Sequence, residues 1–240
     1  MNAPDLKSFA YVSDEYLHGR IKAVFVNFPG LGNMEMKSSL DCNEIMLAHE
    51  GVIFIYPFVN PWNWMNDKTV KFVDEIMDIV IKKYHIADNC PVIAGGGSMG
   101  GYSALAYSMF SKHRLAAVIA NCPVTDIYFH STERPDLPRT FHDAMGSYGD
   151  ISTILKDRSP NYHPEKMPDC KYLIIHGFND KSVNKEKHSD KLVKLMKKRK
   201  LDVTYVEDDK MAHYWPMKYE TVVAMKKFTA EIIQIDTSKL

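Results

Sequence analysis

The chain has 240 residues, of which 45% are hydrophobic and 25% charged, and its 30 basic and 30 acidic side chains cancel. This length fits one α/β domain with a large core, and the composition excludes a disordered chain. A chain with zero net charge has no excess of positive charge to attract nucleic acid or an anionic membrane, so neither is expected as a partner.

The cysteine pattern and the N-terminus favour a soluble, cytoplasmic protein. The four cysteines form no CxxC pair, and a chain of this length needs no disulfide staple, so we expect reduced thiols. The first residues, MNAPDLKSFA, show no apolar stretch typical of a secretory signal. Residues 90–111 carry no charge, but glycines and serines interrupt them. A strand, a turn and a buried helix explain this stretch better than a membrane span.

Short apolar segments recur along the chain, with helical segments between them. Residues 8–12 predict an antiparallel edge strand. Six further strands are predicted from nearly continuous apolar runs, at residues 23–28, 52–57, 91–95, 115–120, 172–177 and 202–207. Apolar residues at helical spacing predict an amphipathic helix over residues 68–84, with Asp67 as its N-cap. Another helix is predicted over residues 185–200, where the terminal KKRK run indicates a solvated helix end.

This alternation predicts an α/β fold with a mostly parallel central sheet flanked by helices. Residues 123–168 interrupt the alternation with mixed character and several prolines. Insertions of this length usually carry their own helices and often cover a site. We therefore predict a lid at residues 123–168 within a single domain that spans residues 1–240.

A glycine-rich turn follows the predicted strand at residues 91–95. It has the sequence GGGSMGG, in which Ser98 occupies the centre of a GxSxG motif between a strand and a predicted helix. A serine nucleophile on such a turn needs small neighbours, because the backbone there is strained. The start of the helix would also supply amides near the Ser98 hydroxyl. Ser98 is the predicted nucleophile. One alternative is a turn that only packs the helix on the sheet. The other is a phosphate-binding loop, but the lysine that such a loop requires after its glycines is absent here.

A serine nucleophile needs a base and a carboxylate that orients the base. Asp180 lies in the segment HGFND and His213 in the segment MAHYW, each just after a predicted strand. The carboxyl ends of parallel strands meet at one edge of a sheet, so Ser98, Asp180 and His213 can converge there. Asp126, which follows the strand at residues 115–120, is the rival acid.

Three other histidines are weaker candidates for the base. His176 lies inside the HGFND turn and is expected to be structural, because it can bond backbone there. His142 and His163 belong to the insertion and have no matched partner.

An oxyanion hole is predicted from two backbone amides. The Met99 amide directly follows the nucleophile and is the natural first donor. The second is expected from the Leu31 amide in the loop NFPGLGN, where Gly30 and Gly32 let the backbone approach a reacting carbonyl. The alternative is that these glycines only form a tight strand-to-helix turn.

Aromatic side chains lie in three loops that follow predicted strands. Trp62 and Trp64 occur in FVNPWNWMND, Phe178 precedes Asp180, and Trp215 follows His213. Loops at this edge of an open α/β sheet line the site, so these four rings are candidate substrate-binding residues for an aromatic or bulky ester. The alternative is that the rings pack the lid onto the domain.

From about residue 23 onward the chain resembles the α/β-hydrolase superfamily. The segment SPNYHPEKMPDCKYLIIHGFNDKSV, followed by MAHYW, is similar in order and spacing to the catalytic domain of the prolyl oligopeptidase family, and GGSMGGYSA resembles that family's nucleophile turn. The resemblance implies the α/β-hydrolase fold, with Ser98, Asp180 and His213 as the catalytic triad.

Two departures from this family bear on the substrate. Members of the family usually carry an N-terminal β-propeller, for which the chain has no room. They also often place a Tyr hydroxyl in the oxyanion loop, whereas residues 28–33 contain no Tyr. Stand-alone domains of this pattern are typically esterases, including acetyl and feruloyl esterases. The resemblance thus implies a serine esterase that acts on small-molecule carboxylic esters through an acyl-enzyme, with no metal or organic cofactor. The alternatives are a prolyl-oligopeptidase-like peptidase acting on short peptides and a non-catalytic binding domain.

Overall fold

Seven strands form one sheet in the computed structural model, which describes residues 3–213 and 215–236. The strands are β1 (Ala10–Val12), β2 (Ala23–Phe28), β3 (Val52–Pro57), β4 (Val92–Gly97), β5 (Ala117–Asn121), β6 (Lys171–Gly177) and β7 (Val203–Asp208). Their order is β1-β3-β2-β4-β5-β6-β7, with β1 antiparallel to β3 and every other pair parallel. The mostly parallel sheet with an antiparallel edge strand is confirmed.

Helices cover both faces of this sheet. They are α1 (Leu6–Phe9), α2 (Cys42–His49), α3 (Asp67–Lys83), α4 (Met99–Phe110), α5 (Ile127–His130), α6 (Leu137–Met145), α7 (Ile151–Asp157), α8 (Lys191–Lys198) and α9 (Tyr219–Ile233). One core cluster joins α3, α4 and α8 to one face, and a second joins α2 and α9 to the other. Within β2, Val24 and Val26 enter the first core while Ala23 and Phe25 enter the second, because successive strand residues point to opposite faces.

Two element boundaries differ from the sequence-based expectation. The N-cap of α3 is Asn66, whose side chain accepts from the Thr69 amide at 2.9 Å, so the assignment of Asp67 as the cap was wrong. Asp67 is instead the first helical residue and pairs with Arg158 at 2.7 Å. The helix expected over residues 185–200 begins with a π-helical turn at Glu186–Asp190, and α8 follows it.

The insertion at residues 123–168 contains the helices α5, α6 and α7. It packs on the loop that joins β3 to α3: Arg158 donates to the Met65 carbonyl at 2.5 Å, and the Asn66 side chain donates to the Ala144 carbonyl at 2.8 Å. The insertion therefore has the helices that its length predicted. Its action as a lid stays a prediction.

The uncharged stretch at residues 90–111 forms β4, the glycine-rich turn and α4, as expected. Among the described residues, no helix has both the length and the apolar character that crossing a bilayer requires. The cytoplasmic location stays a prediction.

Candidate active site

Ser98 lies at the turn between β4 and α4 with φ 58° and ψ −123°, a backbone conformation that costs free energy for any residue with a side chain. The Ser98 amide donates to the Asn121 carbonyl of β5 at 2.9 Å, which holds the turn against the sheet. A Cβ at Gly100 would lie only 2.3 Å from the Phe28 carbonyl oxygen, so this position requires glycine. The structure therefore has the strained strand-to-helix turn that the GxSxG motif predicts.

Asp180 and His213 meet at the carboxyl ends of β6 and β7. The Nδ1 atom of His213 lies 2.8 Å from the Asp180 Oδ2 atom. Backbone contacts join the two loops: the Asn179 amide donates to the Met211 carbonyl at 3.1 Å. A Cβ at Gly177 would lie 2.3 Å from the Met211 carbonyl oxygen, so the close approach of the two loops depends on glycine.

The Asp180 carboxylate is fully buried and surrounded by donors. His176 Nε2 lies 3.2 Å from Oδ2, and the Ser182 and Val183 amides donate to Oδ1 at 2.8 and 3.0 Å. Burial alone would raise the pKa of Asp180, but hydrogen bonds from His176, His213 and Val183 outweigh it and hold the pKa well below its usual range. Asp180 is therefore ionised at any pH at which the protein would act.

The loop of Ser98 and the loop of His213 are connected through the end of β5. The Cys122 thiol lies 3.8 Å from the carbonyl oxygen of Ala212, the residue before His213. Cys122 directly follows Asn121, the acceptor for the Ser98 amide. The His213 side chain keeps 22% of its surface exposed, and Ser98 is half-buried, so both can be reached from solvent.

The two predicted oxyanion donors lie on segments that touch. Met99 is the first residue of α4, and the Leu31 loop begins at Pro29, whose carbonyl oxygen would lie 3.0 Å from a Cβ at Gly100. The Leu31 loop is held by the Gly32 amide, which donates to the Pro61 carbonyl at 2.8 Å. Within the described residues, no protein hydrogen bond uses the Met99 or Leu31 amide, which leaves both for a ligand oxygen.

A comparison with protein families bears on this arrangement. The profile of the prolyl oligopeptidase family matches residues 62–234, a segment that contains Ser98, Asp180 and His213. The chain belongs to the prolyl oligopeptidase family. Its fold is accordingly the α/β-hydrolase fold.

Solved structures of three longer proteins share this fold. A puromycin-hydrolyzing peptidase from Mycobacterium tuberculosis superposes with a TM-score of 0.76 at 17% identity, over 95% of this chain and 37% of that protein. An acylaminoacyl peptidase from Pyrococcus horikoshii superposes with a TM-score of 0.73 at 14% identity, over 92% of this chain and 39% of that protein. Dipeptidyl peptidase 4 from Porphyromonas gingivalis superposes with a TM-score of 0.66 at 15% identity, over 92% of this chain and 33% of that protein. The chain thus spans less than half the length of each. No curated protein matches the sequence.

The rival acid is engaged elsewhere in this member of the prolyl oligopeptidase family. The Asp126 Oδ1 atom accepts from the Phe129 amide at 2.9 Å and caps α5, while Oδ2 lies 3.2 Å from the Lys191 ammonium. The geometry pairs His213 with Asp180 instead. His176 has the structural contacts expected of it, with Nδ1 2.6 Å from the Ser189 hydroxyl and Nε2 3.2 Å from the Val183 carbonyl.

The interpretation of Trp64 as a substrate-facing ring was wrong. Trp64 is fully buried, its indole N–H donates to the Thr140 hydroxyl at 2.9 Å, and its ring stacks on Phe141 at 4.2 Å. Trp62 makes a similar contact, because its indole N–H donates to Asp143 at 2.5 Å. Both tryptophans thus bond to α6, so they join the insertion to the rest of the domain.

The other two predicted rings are open to solvent. Phe178 is 58% exposed and Trp215 is 69% exposed, on the loops that carry Asp180 and His213. Their contact with substrate stays a prediction.

Two groups of side chains that sequence reasoning missed have metal-ligand chemistry. One is His130, Glu133 and His188; the other is Cys122, His176 and Asp180. In the first, His188 Nδ1 accepts from the Thr125 and Asp126 amides at 3.0 and 3.2 Å, so its proton is on Nε2, which donates to Glu133 at 2.9 Å.

In the second group, the His176 Nε2 atom faces two acceptors, Val183 O and Asp180 Oδ2, and must also carry a proton. A protonated nitrogen cannot ligate a metal, so both groups fit hydrogen-bonded clusters better than metal sites. The only sequence signal for the first group was the spacing of His130 and Glu133, three residues apart at the end of α5.

Proposed function

We propose that the chain is a serine hydrolase that cleaves carboxylic esters, with Ser98 as nucleophile, His213 as general base and Asp180 as the acid that orients the base. The contact that carries the proposal is the 2.8 Å hydrogen bond between His213 and Asp180, on loops joined to the strained turn of Ser98. Strain at that position is a cost that a purely structural turn has no reason to bear.

The proton positions follow from the charge of Asp180. An ionised carboxylate can only accept, so His213 Nδ1 carries the proton, and Nε2 of the neutral ring carries the lone pair. Nε2 can then take the Ser98 proton as the hydroxyl attacks the ester carbonyl. The Met99 and Leu31 amides would stabilise the oxyanion.

Collapse of the tetrahedral intermediate then completes acylation. The His213 imidazolium donates its proton to the departing alkoxide, which leaves as alcohol, and the acyl group stays on Ser98. Water attacks the acyl-enzyme with His213 again as base, and the carboxylic acid is released. Every proton in this sequence moves through His213, while Asp180 keeps its charge.

The oxyanion loop supports an ester over a peptide as substrate. The segment of residues 28–33 supplies no Tyr hydroxyl, so this loop adds no phenolic donor to the two backbone amides of the proposed hole. An ester carbonyl is more electrophilic than an amide and its alkoxide leaves more easily, so it requires less stabilisation of the transition state. Peptide hydrolysis is the second candidate, because the similar solved structures are peptidases by name.

The test compares an ester and an amide with the same acyl group. p-Nitrophenyl acetate and p-nitroacetanilide release related chromophores, and kcat/KM for each is corrected with the Ser98→Ala variant. We expect turnover of the ester alone, together with labelling of the wild type by a fluorophosphonate and none of Ser98→Ala. Comparable rates on aminoacyl or prolyl anilides would assign a peptidase, and failure of the label to react would favour a binding domain.

A further inference from the structure

A cavity of about 520 Å3 lies beside the proposed oxyanion loop. Its walls come from the end of β2, the loop at residues 33–41 and the end of β3. Phe28 and Pro29 line it, and their carbonyl oxygens are the atoms packed against Gly100, two residues after Ser98. The cavity thus shares a wall with the turn of Ser98, and its volume is that of a pocket for a small molecule. None of the four aromatic residues expected at the substrate lines it.

The apolar part of the wall suits a short carbon chain. Leu40 and Val59 are buried, while Met36 and Phe58 line the cavity and remain 41% and 43% exposed. Apolar side chains that stay exposed beside a concave surface gain free energy when a ligand covers them.

The charges on the wall do not cancel. Lys37 lines the cavity, but its ammonium lies 3.3 Å from Glu44, so this positive charge is already balanced. Asp41 accepts from the Asn43 and Glu44 amides as the N-cap of α2. The Glu35 carboxylate also lines the cavity, and no cationic side chain among residues 3–213 and 215–236 forms an ion pair with it. The local field is therefore negative, and Glu35 is the carboxylate still available to a ligand.

We propose that this cavity binds the part of the substrate that carries a protonated amine on a short apolar chain, with Glu35 as its counter-charge. The inference rests on the proposed ester hydrolysis, because it assigns a substrate class to the same site. The apolar wall contacts the chain and Glu35 contacts the ammonium at its end. An anionic chain of the same length would be repelled.

Isosteric ester pairs separate charge from shape. On the acyl side, the p-nitrophenyl ester of ε-aminohexanoate is compared with the p-nitrophenyl ester of heptanoate. On the alcohol side, dimethylaminopropyl acetate is compared with isohexyl acetate, with acid release followed in a pH-stat. We expect the cationic member of one pair to have the higher kcat/KM, and the pair that responds tells which side of the ester enters the cavity.

The variant Glu35→Gln tests the counter-charge. Its kcat/KM for the preferred cationic ester should fall roughly three- to tenfold, as for one partly screened ion pair, with little change for the neutral isostere. Glu35→Lys should reverse the preference. The matched control is Asp88→Asn, which removes one exposed carboxylate from the loop before β4, at the opposite edge of the sheet.

Binding is measured separately from turnover. In the Ser98→Ala variant, calorimetric titration with n-hexylamine should give a signal that Glu35→Gln in the same background weakens. If Glu35→Gln lowered kcat/KM equally for the cationic and the neutral ester of each pair, or lowered it for neither, the amine assignment would be overturned. The proposed ester hydrolysis would be unaffected by that result. Turnover of the neutral esters that survives Ser98→Ala would instead refute the proposed function, which separates the two failures.

Discussion

His176 and His213 share one oxygen of Asp180. The Nε2 atom of His176 lies 3.2 Å from Oδ2, and the Nδ1 atom of His213 lies 2.8 Å from the same atom. The buried His176 and the Ser182 and Val183 amides hold the carboxylate in place, whereas His213 reaches solvent. Because these donors keep the pKa of Asp180 far below its usual range, we expect no loss of activity at mildly acidic pH from neutralisation of Asp180.

Replacing Asp180 by Asn should reduce kcat by roughly 10²- to 10⁴-fold, because a neutral amide no longer holds His213 in the right tautomer. The matched control is Asp126→Asn, which can still cap α5 but removes the charge that faces Lys191, and should cost about 1 kcal/mol of stability or less with little change in kcat. Both variants are assayed with p-nitrophenyl acetate. A larger loss in Asp126→Asn would move the acid to the loop after β5.

The Ser98→Ala variant should lose hydrolysis while keeping the fold. The turn accepts a smaller side chain at the same φ, and removal of a triad member commonly costs ~10⁴-fold or more in kcat. Steady-state turnover and thermal unfolding are measured on the same preparation. If more than a tenth of wild-type turnover remained, Ser98 would have no part in the mechanism.

Asp208 closes the loop that carries His213. It is fully buried; Oδ1 accepts from the Lys210 and Met211 amides, and Oδ2 accepts from the Lys218 amide at 2.8 Å and the Thr221 hydroxyl at 2.7 Å. These donors lie before and after His213 in the chain, so the carboxylate ties both ends of its loop together.

We expect Asp208→Asn to lower kcat by about 10- to 100-fold with a smaller change in KM, because small misplacement of a base is costly. Thr221→Val removes a single donor and should have a weaker effect in the same direction. Circular dichroism verifies the fold of each variant. A well-folded Asp208→Asn enzyme with normal kcat would show that the loop holds His213 without this carboxylate.

Trp64→Ala should destabilise the protein by about 3–5 kcal/mol, since it removes a buried ring stacked on Phe141 and leaves a cavity. Losses in kcat/KM should be equal for an aryl ester and an acetyl ester. Denaturant unfolding measures the change in stability, and assays with the aryl ester and the acetyl ester measure the two changes in kcat/KM. Phe178→Ala is the control, because that ring is exposed and should change stability little. A selective loss on the aryl ester in Trp64→Ala would restore it as a specificity residue.

The hydrogen bonds around Glu133 predict a loss of stability in acid. Burial raises the pKa of Glu133, but hydrogen bonds from His130 and His188 dominate and lower it from 4.5 to about 2. A carboxyl with a depressed folded-state pKa stabilises fully above its unfolded pKa, and that contribution is lost as pH falls from about 4.5 towards 2.

The Glu133→Gln variant should therefore be less stable than wild type near neutral pH and lose less of its remaining stability across that acid window. Urea unfolding at a series of pH values measures this difference. Glu220→Gln removes an exposed carboxylate at the start of α9 and serves as the control. Parallel stability curves for wild type and Glu133→Gln would contradict the assignment.

Much of the fold follows from patterns within short stretches of sequence. Nearly continuous apolar runs predicted six of the strands to within about two residues at each end, because parallel strands are buried on both faces. The GxSxG motif indicated a strained turn at Ser98, since the small residues that such a turn needs are its immediate neighbours. The order of Asp180 and His213 after successive strands also predicted that they meet, because parallel strands end at one edge of the sheet.

Contacts between distant segments could not be predicted in this way. Trp64 looked like a pocket residue because it follows a strand, but its indole N–H bonds Thr140, 76 positions later in the chain. The cavity beside Glu35 exists only where a loop after β2 meets the end of β3. Periodicity and motifs report the neighbours of a residue along the chain, whereas what its side chain faces is decided by the packing of elements far apart in sequence.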